Sequence, residues 1–163
     1  MQFKISKELL VQIEQLIHQK NDHELGILLN DLHHADIAEI FDELESEEAI
    51  YIFKLLDSEI TAEILLELED DVREKILRGL SAKEIAEEID ELDTDDAADI
   101  IGELPQSKKE QVISELEDVE HAKDIVDLLR YDEDSAGGLM GKELVKVNEN
   151  WNVLTCVKEM RIQ

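Results

Sequence analysis

The chain has 163 residues, with 43 Asp and Glu against 16 Lys and Arg, a formal net charge of −27. That surplus repels phosphate backbones and excludes nucleic acid as a partner, whereas cations or a basic protein surface would be attracted. Cys156 is the only cysteine, so no internal disulfide can form, a usage that suits a reducing cytosol.

Met1 to Ser6 leads directly into an amphipathic helix and lacks the apolar stretch of a signal peptide. Ser6 predicts an N-cap for a helix over about Lys7 to Lys20, with Leu9, Leu10, Ile13, Leu16 and Ile17 on its inner face. Asn21-Asp22 makes a turn. From there the chain repeats. Nine leucines stand twelve residues apart: Leu32, Leu44, Leu56, Leu68, Leu80, Leu92, Leu104, Leu116 and Leu128. Three residues before each is another large apolar residue: Leu29, Phe41, Phe53, Leu65, Leu77, Ile89, Ile101, Ile113 and Ile125. Such i, i+3 pairs lie on one helix face. Four before the leucine the residue is Leu, Ile or Val, except for Glu88 and Asp124. Ser46, Ser58, Ser81, Thr94 and several Asp residues follow as turn and cap candidates.

Each unit reads as a helix of roughly nine residues plus a turn of about three, too short to be stable alone. Neighbours must share the apolar stripe, which makes the fold all-α: a right-handed-type superhelical α-solenoid of short, about twelve-residue repeats. Pro105, directly after Leu104, falls where a helix should end. The apolar content of 43% in strict register argues against disorder. No run approaches the roughly eighteen apolar residues of a membrane-spanning helix.

At Arg130-Tyr131 the register stops, and Asp132 to Gly138 reads as a polar, Gly-bearing linker. Glu143 to Val147 is a short β-prone run, Asn148 to Asn150 a turn, and Val153, Leu154, Val157 and Met160 form a helical face. The predicted division is a solenoid over 1–131 and a linker with the first strand and helix of a truncated α/β domain over 132–163.

No catalytic arrangement emerges, and the chain is not expected to be an enzyme. The five histidines have no metal-binding spacing, and no Gly-rich phosphate loop is present. The best functional candidate is Asp93-Thr94-Asp95-Asp96-Ala97-Ala98-Asp99. With Thr94 as N-cap, Asp95 and Asp96 fall in the first helical turn, where acids favour the helix dipole. Asp95 and Asp99, four apart, share a face where like charges repel unless something offsets them. A cation held there by hard oxygen ligands would be Mg²⁺ or Ca²⁺, and Mg²⁺ needs only one or two carboxylates because it keeps most of its waters. Glu63 is a weaker candidate that by itself reads as an exposed helix carboxylate.

Leu32-His33-His34-Ala35-Asp36-Ile37-Ala38-Glu39, the acidic run Leu92 to Asp99, and Tyr131-Asp132-Glu133-Asp134-Ser135-Ala136-Gly137-Gly138-Leu139-Met140 together resemble segments of the MgtE family of magnesium transporters, in order and over nearly the whole chain. The resemblance implies a dimeric Mg²⁺ channel whose N-domain and paired CBS domains lie on the cytoplasmic face of the membrane, joined to membrane helices. It implies that Mg²⁺ ions between the N-domain and the CBS region favour the closed pore. It places Asp95 and Asp99 toward those ions, with Glu63 a further match, and has Asp96 pointing elsewhere. It also makes 132–163 the start of the first CBS domain. A different class stays open: an acidic helical-repeat scaffold that binds a basic protein and senses no metal.

Overall fold

The structure, a computed structural model, describes residues 5–132, 135–144 and 147–161. Its helices are α1 (Lys7–Gln19), α2 (Asp22–Asn30), α3 (His34–Glu43), α4 (Ser46–Phe53), α5 (Ser58–Glu67), α6 (Asp70–Gly79), α7 (Ala82–Ile89), α8 (Thr94–Glu103), α9 (Gln106–Glu115), α10 (Val119–Leu128) and α11 (Val153–Met160). From α3 to α10 they run 8 to 10 residues each, as the twelve-residue period requires.

Each unit packs mainly on the unit two further along. The odd helices α3, α5, α7 and α9 form one column; α4 packs on α6, and α8 on α10. Long-range hydrogen bonds add to this: Thr61 Oγ1 donates to Glu88 Oε2 at 2.5 Å between units two apart, while Lys54 Nζ to Glu84 Oε1 at 2.7 Å and the His121 ring to the Ile89 carbonyl at 3.2 Å join units three apart. Two units thus make one turn of a two-layer solenoid. The repeat residues fill the space between the layers: Leu29, Phe41, Phe53, Leu65, Leu77, Ile89, Ile101 and Ile125 are all buried. So are Ile40, Ile52, Ile64, Ile76, Ile100 and Val112 from the position before.

The scarce basic residues close helix ends. The Arg73 guanidinium donates to the Leu68 carbonyl at 3.1 Å, beside the last turn of α5, to Asp70 at 2.8 Å and to Glu103 of α8 at 2.6 Å. Lys108 of α9 reaches the Leu77 carbonyl at 3.0 Å and the Leu80 carbonyl at the end of α6. Unpaired C-terminal carbonyls are where positive charge is most useful on a helix. Ser6 caps α1, and Ser81 forms a reciprocal capping box with Glu84 on α7.

Three local expectations shift. Thr94 is the first residue of α8 rather than its cap, which is Asp93; Ser46 and Ser58 likewise follow caps Glu45 and Asp57. The first helix ends at Gln19, with Lys20 in the left-handed region at φ 53°. Residues 143, 144 and 147 are not in a strand, Val145 and Lys146 lie outside the described residues, and no strand occurs among the described residues to supply a hydrogen-bonded ladder. The helix expected around Val153 to Met160 is α11, capped by Asn152 through the Thr155 N–H at 2.9 Å.

The two exceptions in the repeat have different fates. Glu88 occupies the core position and is buried, 8% exposed, against Thr61. Burial pushes its carboxyl up to about 7, against the pull of the Thr61 hydrogen bond and with help from Glu87 and Glu91. Asp124 is only half-buried, next to Lys142, and the missing apolar contact is tolerated near the end of the stack.

Candidate functional site

Asp95, Asp96 and Asp99 lie on α8, where the repeat brings Ala97, Ala98, Ile100 and Ile101 to the core and leaves the acids at the rim, half-buried. Glu63 sits exposed on α5. The Asp96 carboxyl is held above its ordinary range, first by burial and then by the charges of Asp95, Asp93, Glu63 and Glu143. Those neighbours show what the fold assembles: Glu63, on α5 and so in the other helical column, is close enough to act on Asp96 at the first turn of α8. Asp96, which the resemblance has pointing elsewhere, lies within this cluster.

Residues 135–144 run across the same face. The Thr94 backbone N–H donates to Glu143 Oε1 at 2.8 Å, and the Lys142 N–H donates to Thr94 Oγ1 at 3.0 Å. Burial opposes the charge on Glu143, but the bonds from Thr94 hold its carboxyl below the usual range. Lys142 Nζ donates to Asp127 Oδ2 of α10 at 2.7 Å, which lowers the Asp127 carboxyl and raises the lysine. Gly141 passes so close to α8 that a Cβ there would stand 3.1 Å from Glu143 Oε2 and 3.5 Å from Asp95 Oδ1. At Gly137 a Cβ would overlap the Tyr131 ring, which accounts for a glycine at that point of the linker.

Asp99, one turn along α8, lines a separate pocket of about 130 Å³ with Ala98, Gly102, Lys109, Tyr131 and Gly138. Asp95 faces the Gly141–Glu143 stretch. Both therefore lie toward the linker, though in different surroundings. Among the described residues no three of His, Cys, Asp and Glu converge closely enough to enclose a metal ion. The cluster can offer carboxylates to a hydrated hard cation from one side. It cannot form a closed cage from the described residues alone.

Glu143 and Lys142 are the participants that sequence periodicity misses. Both lie outside the repeat, 49 and 48 residues from their partner Thr94. No local pattern signals such a pairing.

Solved structures provide the comparison. The chain aligns with the crystal structure of the cytosolic domain of the Mg²⁺ channel MgtE in complex with ATP, at 28% identity and a TM-score of 0.82, over 94% of this chain and 63% of that one. A second, the soluble part of a magnesium transporter, aligns at 22% identity and a TM-score of 0.78, over 96% of this chain and 61% of that one, and supports the fold. The chain thus spans under two thirds of either. No curated protein sequence matches it. The family model of the MgtE intracellular N domain matches residues 32–134, well over half of the chain, from the start of the regular repeat to the linker. On that match the chain belongs to the MgtE intracellular N-domain family.

Proposed function

We propose that the chain is the cytosolic Mg²⁺-sensing part of an MgtE-type magnesium channel, with residues 132–163 leading into the first of two CBS domains. The observation that carries this reading is the carboxylate cluster on the first turn of α8, where burial, and then the like charges beside it, already hold Asp96 above its ordinary range. Asp95, Asp99 and Glu63 present oxygen ligands to Mg²⁺ ions that are completed by an acidic CBS surface. Two such surfaces repel when bare, and divalent ions between them reverse the sign of the interaction. Ions that bridge the compact arrangement bind it better than the open one, and that differential affinity is what shifts a conformational equilibrium. Several weakly bound ions acting together make the response steep. In this reading the compact, ion-filled state holds the pore closed, and the working unit is a homodimer linked to membrane helices on the cytoplasmic side.

The fold supports this in two ways. The rim of the solenoid brings Glu63 to the acidic turn of α8, and the linker crosses that same face. The family match and the 28% identical Mg²⁺ channel domain agree with it. The test is a Mg²⁺ titration of the chain joined to its CBS domains at fixed ionic strength, read by radius of gyration and protease resistance. Compaction in the millimolar range, weakened by Asp95→Asn/Asp99→Asn with the helical content unchanged, is the expected result. Unchanged dimensions and protease sensitivity across that range would sink the sensing role and leave an acidic protein-binding scaffold.

A further inference from the structure

Among the described residues Glu88 is the only buried acid, 8% exposed, at a repeat position where most units carry Ile, Leu or Val. Its Oε2 meets the Thr61 hydroxyl at 2.5 Å, but that hydroxyl also lies 3.2 Å from the Asp57 carbonyl and 3.3 Å from the Ser58 carbonyl. One hydroxyl proton serves these three acceptors, whereas a charged carboxylate accepts up to about four bonds. Thr61 alone therefore leaves an ionised Glu88 short of donors. The acid borders a cavity of about 310 Å³ whose wall also carries Lys54, Asp57, Ser58, Glu84 and Glu87.

An ion pair already lies on the same wall. Lys54, the C-cap of α4, donates from Nζ to Glu84 Oε1 at 2.7 Å. Glu84 and Glu88 are four apart on α7, so this helix offers the ammonium two carboxyls on one face. Glu84 is the less dependent of the two, because its Oε2 accepts from the Ser81 N–H at 2.6 Å and its side chain is 36% exposed. Lys54, 41% exposed on a flexible stem, has room to move. The other charges around Glu88 offer it no cation. Glu87 and Glu91 of α7 repel a negative charge there, and Asp57 lines the cavity from the α5 cap. Lys108 of α9 and His121 of α10 are held on the carbonyls of Leu77, Leu80 and Ile89. Burial, more than the neighbouring acids, lifts the Glu88 carboxyl to about 7, so its charge appears across the neutral range.

We propose that Lys54 is a proton-driven switch between two carboxylates: it pairs with Glu84 while Glu88 is neutral and moves along the cavity wall to Glu88 when that acid ionises. The proton leaves to solvent, and the ion pair is the only contact exchanged. The buried charge, left alone, costs more than Glu84 loses at the rim, where water and the Ser81 N–H remain to it. The exchange moves the tie between the end of α4 and α7 by about one helical turn, roughly 5 Å along the axis. The solenoid thereby has two settings of one inter-unit contact, chosen by pH.

NMR of the 163-residue chain without divalent cations tests it, through the side-chain carboxyl carbons of Glu84 and Glu88 and the proton contacts of the Lys54 ε-methylene. At about pH 5.5, well below the Glu88 titration, that methylene is expected to contact the Glu84 γ-protons; at about pH 8.5, well above it, the Glu88 γ-protons take their place. The exchange should share one midpoint with the Glu88 carboxyl carbon. Glu88→Gln, which keeps the shape and stays neutral, should hold Lys54 on Glu84 at both pH values, with the amide spectrum reporting an intact fold. Lys54 remaining on Glu84 at the higher pH would overturn the switch in the parent chain alone. So would a Glu88 carboxyl that does not titrate between the two pH values, or an exchange that survives in Glu88→Gln. None of these residues is proposed to hold Mg²⁺ and the readout contains none, so this failure and a failed Mg²⁺ titration are independent.

Discussion

Helices α8 and α11 have similar local credentials and opposite surroundings. Both begin after a polar cap and both present apolar residues at helical spacing. In α8 that face meets α10, and Ala97, Ala98, Ile100 and Ile101 are buried. In α11 no residue is buried, and Val153 and Leu154 are 78% and 83% exposed. The difference is the neighbour. A helix of eight to ten residues has too little internal cooperativity to stand alone, so the solenoid gains its stability from each stripe being covered by the unit two along. Helix α11 carries the stripe without the cover.

The largest test of that contrast is a truncation on each side. Leu65→Ala, at a fully buried repeat position of α5, should cost about 3 kcal/mol in urea unfolding, the typical loss for emptying a packed leucine site. Leu154→Ala should change the same midpoint by less than about 0.5 kcal/mol. Equal costs would mean that α11 is covered in solution after all.

Next in size is Glu88, the acid that sits in the body as if it were a core residue. Its carboxyl lies at about 7 in the folded chain against an ordinary value of 4.5. Between those values the folded chain keeps a proton that the unfolded chain has released, so its contribution to stability is full below about pH 4.5 and is lost as pH rises through 7. Glu88→Gln should therefore be more stable than the parent at pH 8 by about 2 kcal/mol, with the advantage shrinking toward pH 5. A difference that does not vary with pH would show that Glu88 finds its charge balanced by some other route.

A smaller effect belongs to Arg73, which ties α5, α6 and α8 together while its side chain is 13% exposed. Arg73→Ala should destabilise by about 1.5 kcal/mol, because it leaves the Leu68 carbonyl and Glu103 without their strongest donor. Arg73→Lys should recover only part of this, since an ammonium cannot reproduce the planar fork. The smallest effect is expected at Lys83, whose exposed pairing with Glu87 at 3.3 Å should contribute only a few tenths of a kcal/mol at most, as read by Lys83→Ala in the same unfolding assay.

Much of the body is legible in the sequence. The twelve-residue register names most of the buried positions from Leu29 to Leu128, with Leu32, Leu44, Leu56, Ile113 and Leu116 only half-buried, and Ser6, Ser81 and Pro105 mark helix boundaries that the fold respects. These are local matters: a face repeats because a helix turns, and a cap works within three residues. The boundary at Thr94 falls one residue from its expected place, as at Ser46 and Ser58, because the acid before each takes the extended cap conformation. The acids of α8 stand out in the sequence by density. That Glu63 acts on Asp96, while Asp99 faces a different pocket from Asp95, could not be read from spacing.

The sequence by itself determined that this chain is a stack of short amphipathic helices with an acidic surface, because periodicity and composition act residue by residue along the chain. Only the tertiary structure decided which acids share a field, which buried carboxyl keeps its proton, and which linker residue caps the acidic helix. Those properties depend on distance and on exclusion of water. Both are set by which helices pack together, through contacts that bring positions 27 to 49 residues apart within a hydrogen bond of each other.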